Sequence, residues 1–238
     1  MDTLVVLDTN VVLANCLGPD IDAKAAMATE VFTILSLAGL PPQITESLQS
    51  EFERKLHDRV GQILDAVRDL GQRPAPMERG EQHPLDLLEE LFAGLRLEAE
   101  ESAGALLLLE RRIASLIQAQ GQLTEGLWVS LLRGVSLEAT LLLAEVQKRF
   151  DLLGLTVINQ PRDLDHEGFR DVVAKSDLEH VAACAAIAKA RRCTVLLITL
   201  DGPLHARRAE ILKRTSGRVV VTEPVYLKRQ LQRQGFAV

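Results

Sequence analysis

The chain has 238 residues, 47% of them apolar and 25% charged, with a formal net charge of −6. That is enough apolar material for a core, and it excludes a disordered or fibrous chain. The first apolar run, Leu4 to Leu7, is short and follows Asp2, and the longest uncharged stretch, Val31 to Thr45, is broken by Pro41 and Pro42, so neither a secretory leader nor a membrane span is expected.

Three cysteines, Cys16, Cys184 and Cys193, lack zinc-like spacing and read as buried thiols, which fits a cytoplasmic protein. The charge is uneven. Residues 186 to 238 hold eleven Lys and Arg against Asp201, Glu210 and Glu223, a net +8 that leaves −14 for residues 1 to 185. Such a bias fits a face that meets polyanions, with a solvated surface as the structural alternative.

In chain order, strands are predicted at Leu4 to Asp8, Gln43 to Thr45, Leu155 to Asn159, Thr194 to Leu200 and Arg218 to Val221. Helical patterns separate most of them, which predicts an α/β fold: a mainly parallel open sheet with flanking helices. Between residues 46 and 154 the alternation stops. After the helix carrying Leu48, Phe52 and Leu56, the residues Pro74, Pro76, Gly80 and Pro84 mark a linker. Pro84 to Gln118 and Leu123 to Leu153 then read as helices joined by a turn near Gly121. The expected organisation is an α/β core from residues 1–71 and 154–238, with residues 72–153 as a helical insertion.

Each inserted helix has an apolar seam. Leu88, Leu91 and Leu95, then Leu106, Leu109, Ile113 and Leu116, face Trp128, Leu131, Leu132, Leu142, Val146 and Phe150 in an antiparallel pair. The four leucines Leu106 to Leu109 surround their helix, so at least one must meet the core, a second copy of the chain or a protein partner.

Acids end two of the strands. Asp8, in LVVLDTNVVL, closes the first, and Asp201, in Leu-Ile-Thr-Leu-Asp-Gly-Pro, closes the fourth. Side chains at the carboxyl ends of parallel strands face the crevice where ligands bind. Asp177 falls in the first turn of a helix, where Ser176 and Glu179 fit a capping box. Glu51 lies beside the stripe of Leu48, Phe52 and Leu56, with Glu46 and Glu53 as neighbours that could serve instead. Taken singly, each acid has a structural reading: a turn for Asp8 and Asp201, a helix dipole for Asp177, a surface position for Glu51.

Together they make a pattern. Asp8-Thr9-Asn10 after a first strand, Thr45 to Leu56 after a second, Asp177-Leu-Glu-His180-Val-Ala-Ala-Cys-Ala on a late helix and Thr199-Leu-Asp201 closing the next strand resemble the PIN-domain nucleases. The helical insertion has no counterpart in compact members of that family. The resemblance implies that Asp8, Glu51, Asp177 and Asp201 are the catalytic acids and surround magnesium or manganese, with Asn10 and Thr199 orienting them. It also implies metal-dependent hydrolysis of RNA, as in an endoribonuclease that is either a toxin of a toxin–antitoxin pair or a processing enzyme.

Physics agrees with a metal. Carboxylates about 4 Å apart repel by roughly 4 kcal/mol at an effective dielectric of about 20, so a metal-free cluster should raise its own pKa values. Oxygen donors without His or Cys suit magnesium or manganese. His180 is expected to pack or hydrogen-bond inside the fold rather than act as a base. The acids Asp163, Asp165, Glu167 and Asp171 read as a solvated loop. Arg207, Arg208, Lys213 and Arg214 are the candidate RNA contacts. With one Trp, one Tyr and six Phe, base stacking is limited, which favours recognition of a folded RNA by its backbone and shape.

Two other classes compete. A haloacid-dehalogenase-type phosphatase needs a second Asp two residues after the first, where this chain has Asn10. An inactive PIN-like module that binds RNA or protein would keep the sheet without the chemistry.

Overall fold

The structure, a computed structural model, describes residues 2–19, 22–73, 75, 84–98, 103–120 and 124–238. Five strands, β1 (Thr3–Leu7), β2 (Gln43–Thr45), β3 (Thr156–Ile158), β4 (Thr194–Ile198) and β5 (Val219–Thr222), form one sheet in the order β3-β2-β1-β4-β5. Every pairing is parallel, so the expected α/β class holds and the sheet is parallel throughout. Parallel neighbours need crossovers that cover both faces, and central strands therefore read as unbroken apolar runs. β4 is buried at every position.

β1 and β4 pair in register from Thr3 opposite Thr194 to Leu7 opposite Ile198. The residues after them, Asp8 and Thr199, consequently leave the sheet at the same edge. From β1 the chain passes outward to β2 and β3, then returns to β4 and β5 on the other side. The direction of winding reverses between β1 and β4, the place where a parallel sheet opens a crevice at its carboxyl ends.

Helices α1 (Thr9–Leu17) and α2 (Ala25–Leu37) follow β1, and α3 (Glu46–Gln72) follows β2. α1 is buried over most of its surface and stops at Gly18, whose φ of +80° disfavours any side chain. Arg149 Nη1 donates to the Cys16 carbonyl at 2.9 Å, satisfying one of the acceptors that the end of α1 leaves open. α3 starts where Thr45 Oγ1 accepts the Leu48 amide at 3.3 Å, a strand residue closing the first turn of the next helix.

Next come α4 (Pro84–Glu98), α5 (Ala103–Gln120) and α6 (Glu125–Leu152). The single segment expected over Pro84 to Gln118 is thus two helices that pack on each other. Ser102 and Gly104, both poor helix formers, were the available signal. After β3 follow a 3-10 turn (Glu167–Phe169), α7 (Lys175–Arg191) before β4, α8 (Gly202–Ala206) and α9 (Arg208–Arg214) before β5, and α10 (Leu227–Arg233).

The chain divides into two compact units, Met1–Arg54 with Val146–Val238, and Lys55–Glu145. The first holds the sheet. Within it Phe52 stacks on Phe150, with ring centroids 4.3 Å apart and planes 25° from parallel. Phe150 and Val146, expected in the insertion's seam, therefore belong to the sheet unit, because the last turns of α6 carry an apolar stripe past the boundary. Cys16, Cys184 and Cys193 are buried free thiols, and burial pushes Cys184 up to about 12, which keeps it unreactive.

The second unit has its own core, in which Leu70 of α3, Leu88 and Phe92 of α4, Ile113 of α5 and Trp128 of α6 are buried together. Leu91 and Leu116 pack against it from its margin. The side chains of Leu95 and of Leu106 to Leu108 lie outside the described residues. α6 is the one described helix long and apolar enough to cross a membrane, with a mean hydropathy of 1.5 over its most apolar window, 28% of which is buried. Trp128, Leu131, Leu132 and Val135 of this helix serve the unit's core. Leu137 and Leu141 are exposed.

Candidate active site

Asp8 occupies the N-cap position of α1 in extended backbone, yet its carboxylate makes no capping hydrogen bond. An Asp in that place ordinarily accepts from the helix amides. Here Thr199 Oγ1 donates to Asp8 Oδ2 at 2.6 Å, and Asn10 Nδ2 approaches the same oxygen at 3.4 Å. Asp8 is 6% exposed and Thr199 fully buried, so their short, charge-assisted bond is shielded from water.

Thr199 is a bridge. Its hydroxyl also accepts the Asp201 amide at 2.9 Å, so one side chain sets both the Asp8 carboxylate and the backbone that carries Asp201. Asp201 Oδ1 in turn accepts the Leu204 amide at 2.9 Å and caps α8, with Pro203 in its first turn. The turn-forming reading of Asp201 is therefore satisfied at the same residue that faces the crevice.

Glu51 sits just over a turn into α3 and is tied to two other helices. Thr9 of α1 donates to Glu51 Oε2 at 2.6 Å, and His180 Nε2 of α7 lies 2.9 Å from the same oxygen. The Glu51 and His180 side chains are 11% and 10% exposed. Ser47 approaches the other ring nitrogen of His180 at 3.5 Å. Glu46 and Glu53 are both exposed. Thr9, within the Asp-Thr-Asn motif but without an expected role, thus joins the helix that follows Asp8 to Glu51.

Asp177 is in the first turn of α7. The expected capping box does not form: the helix begins at Lys175 after an uncapped Ala174, which puts Ser176 inside the first turn. Its hydroxyl bonds Asp177 Oδ1 at 3.2 Å instead. Burial raises the Asp177 carboxyl above the ordinary aspartate range and the negative charge of Asp201 pushes it further, against smaller opposing effects of Ser176 and His180, with Glu51 adding the weakest upward push. The like-charge repulsion expected of a metal-free cluster thus contributes to this shift, second to burial.

Two hollows flank the acids. Asp177 lines one of about 330 Å³ with Arg170, Asp171 and Arg207, and Glu51 and His180 line another of about 470 Å³. Of the basic residues expected to meet RNA, Arg207 reaches the first hollow, and Lys213 is exposed. Arg208 donates to the His205 carbonyl at 3.1 Å. Arg214 is engaged elsewhere: it forks onto Asp171 at 2.8 and 2.7 Å and onto the Gly168 carbonyl, and holds the Asp171 carboxyl below its usual range. The acidic loop is correspondingly built. Asp165 caps its 3-10 turn through the Gly168 amide at 2.9 Å, and Phe169 and Val172 are buried.

As to an ion, the acids offer carboxylate oxygens near the switch point, the chemistry a hard divalent cation takes, while the His180 imidazole beside them is engaged with Glu51. Among the described residues no three His, Cys, Asp or Glu side chains are grouped closely enough to hold one together. Comparison of the chain with protein-family models, with curated proteins and with solved structures finds no match.

Proposed function

We propose that this chain is a metal-dependent ribonuclease of the PIN-like kind, hydrolysing RNA phosphodiester bonds at the crevice between β1 and β4. The observation that carries the reading is the half-buried Asp177 carboxyl at the mouth of a parallel sheet, raised first by its burial and then by the charge of Asp201, with a small further push from Glu51. Like charges gathered in a cleft are costly unless a cation shares them, and perturbed carboxyls in such a place mark functional sites. Asp8, Asp177 and Asp201 would hold magnesium or manganese, with Glu51 beside them. A bound divalent ion supplies Lewis acidity for the attack of water on a phosphodiester.

The chain's own groups do the positioning. Thr199 and Asn10 orient Asp8, while Thr9 and His180 hold Glu51, so the acids are aimed by hydrogen bonds from four other residues. Arg207, which lines the hollow with Asp177, would meet a phosphate of the substrate. The test is cleavage of mixed RNA by the purified protein in EDTA, magnesium or manganese, beside Asp8→Asn. Metal-dependent cleavage that the variant lacks is the expected result, and RNA left intact in every metal overturns it. A second reading, a module that binds RNA without cutting it, draws on the lack of a ready three-ligand group among the described residues. Metal-independent RNA binding without cleavage would select it.

A further inference from the structure

Beside Glu51 and His180 lies the hollow of about 470 Å³, and no hydrocarbon side chain lines it. The one ring in its wall, that of His180, is only 10% exposed and held between Glu51 and Ser47, so it offers a nucleobase little face to stack on. Nor does it suit a phosphate. The carboxylates of Glu46, Glu51 and Glu179 outnumber the cations Arg54 and Lys175 around it. What fits is a neutral group that both donates and accepts hydrogen bonds.

One lining residue is unsatisfied. The Gln160 amide oxygen is shielded from water and has no hydrogen-bond partner, while its Nε2 makes only a long bond of 3.4 Å to Glu179. An orphaned acceptor costs about 1–3 kcal/mol, and a terminal amide torsion has a broad, shallow profile. By rotating its oxygen into the hollow when a donor arrives, the amide gains a partner for the orphaned acceptor and gives up its one long bond to Glu179. Lys175 and Ser176, at the start of α7, line the same space and carry donors that a hydroxyl oxygen can accept.

We infer that this hollow is a ribose subsite, in which the Gln160 oxygen accepts the 2′-hydroxyl of a nucleotide next to the scissile bond and so makes the site prefer RNA to DNA. The 2′-hydroxyl is the donor-and-acceptor group by which proteins tell the two apart. The inference rests on the ribonuclease reading and adds to it the residue that selects the sugar.

The test uses a short fluorescent single-stranded RNA, its all-deoxy counterpart, and RNAs carrying a single 2′-deoxy or 2′-fluoro sugar moved along the chain. Binding is read by anisotropy on Asp8→Asn, with and without Gln160→Leu, and cleavage on the wild type and Gln160→Leu. Asp8→Asn should bind RNA about tenfold more tightly than DNA, and Gln160→Leu should bring that ratio close to one through the RNA affinity alone. At one position 2′-fluoro should be as poor as 2′-deoxy, because fluorine cannot donate. This scan needs no change at Gln160 and decides the question if Gln160→Leu misfolds. Equal affinity for RNA and DNA, a preference that survives Gln160→Leu, or 2′-fluoro that binds like 2′-hydroxyl at every position overturns the subsite. Metal-dependent cleavage of both nucleic acids alike would sink the subsite and leave the nuclease standing, whereas RNA-selective binding without cleavage would do the reverse.

Discussion

Thr199→Val removes the one hydroxyl that joins the two strand-end acids while keeping nearly the same shape. It deletes a 2.6 Å bond to the Asp8 carboxylate and the acceptor of the Asp201 amide, both at a fully buried side chain. A hydrogen bond to a charged group is worth about 1.5–3 kcal/mol and a neutral one about 1, so the loss should be about 2.5–4 kcal/mol. For a chain of this length that is a fall in Tm of roughly 5–15 °C. Urea unfolding in EDTA measures it without metal. Thr199→Ser keeps the hydroxyl and loses only a buried methyl, about 1 kcal/mol, so the two variants should separate by at least about 1.5 kcal/mol. A double-mutant cycle with Asp8→Asn should return a coupling of about 1 kcal/mol or more between the two side chains. If Val and Ser cost the same, or the cycle closes to zero, the Thr199 hydroxyl does not organise the acids and the site argument loses its centre.

Asp177→Asn should act in the opposite direction. Because the folded carboxyl keeps its proton to higher pH than the unfolded one, the metal-free protein loses stability as pH rises from the ordinary aspartate value through the raised one. The variant should lack that decline and be relatively more stable at neutral pH, and parallel urea-unfolding curves between acid and neutral pH would contradict this. Manganese at about a hundred times its Kd should stabilise the wild type by about 2.7 kcal/mol in thermal melts and leave Asp201→Asn unmoved; equal shifts would remove the metal-site claim. Arg214→Gln should change RNA affinity little, since Asp171 already occupies its guanidinium, whereas Arg207→Gln should flatten the log-log salt dependence of RNA binding by roughly 0.7, one phosphate contact. The reverse ranking would return Arg207 to the solvated surface. Phe52→Ala should cost about 3–5 kcal/mol in urea unfolding through loss of the stack on Phe150, and a cost under about 1 kcal/mol would show that the pair is not core.

Much of the sheet was legible from local pattern. Each of the five predicted runs overlaps a strand; for the central β1 and β4 the reason is that a strand covered on both faces must be largely apolar and end at the first residues that cannot be buried unpaired, as at Asp8 and after Ile198, whereas the edge strand β3 is exposed at two of its three positions. The same rule placed Asp8 and Asp201 at strand ends, and helical spacing placed Glu51 beside the stripe of Leu48 and Phe52. Local pattern failed where two interpretations satisfy the same residues. Ser176 could cap a helix or sit within its first turn, and only the starting point at Lys175, fixed by how α7 docks, turned its hydroxyl to Asp177. Val146 and Phe150 continue the periodicity of α6 without a break, so periodicity could not say that they serve the sheet unit. Contacts between residues far apart in the chain were beyond it altogether. That Thr199 spans Asp8 and Asp201, that Thr9 and His180 hold Glu51, that Arg214 is spent on Asp171 and that the Gln160 oxygen is left without a partner all depend on the strand order bringing distant segments to one edge. Sequence spacing determines which side chains share a strand or a helix face, but hydrogen bonds and charges act over a few ångströms in space, and that proximity is set by tertiary packing alone.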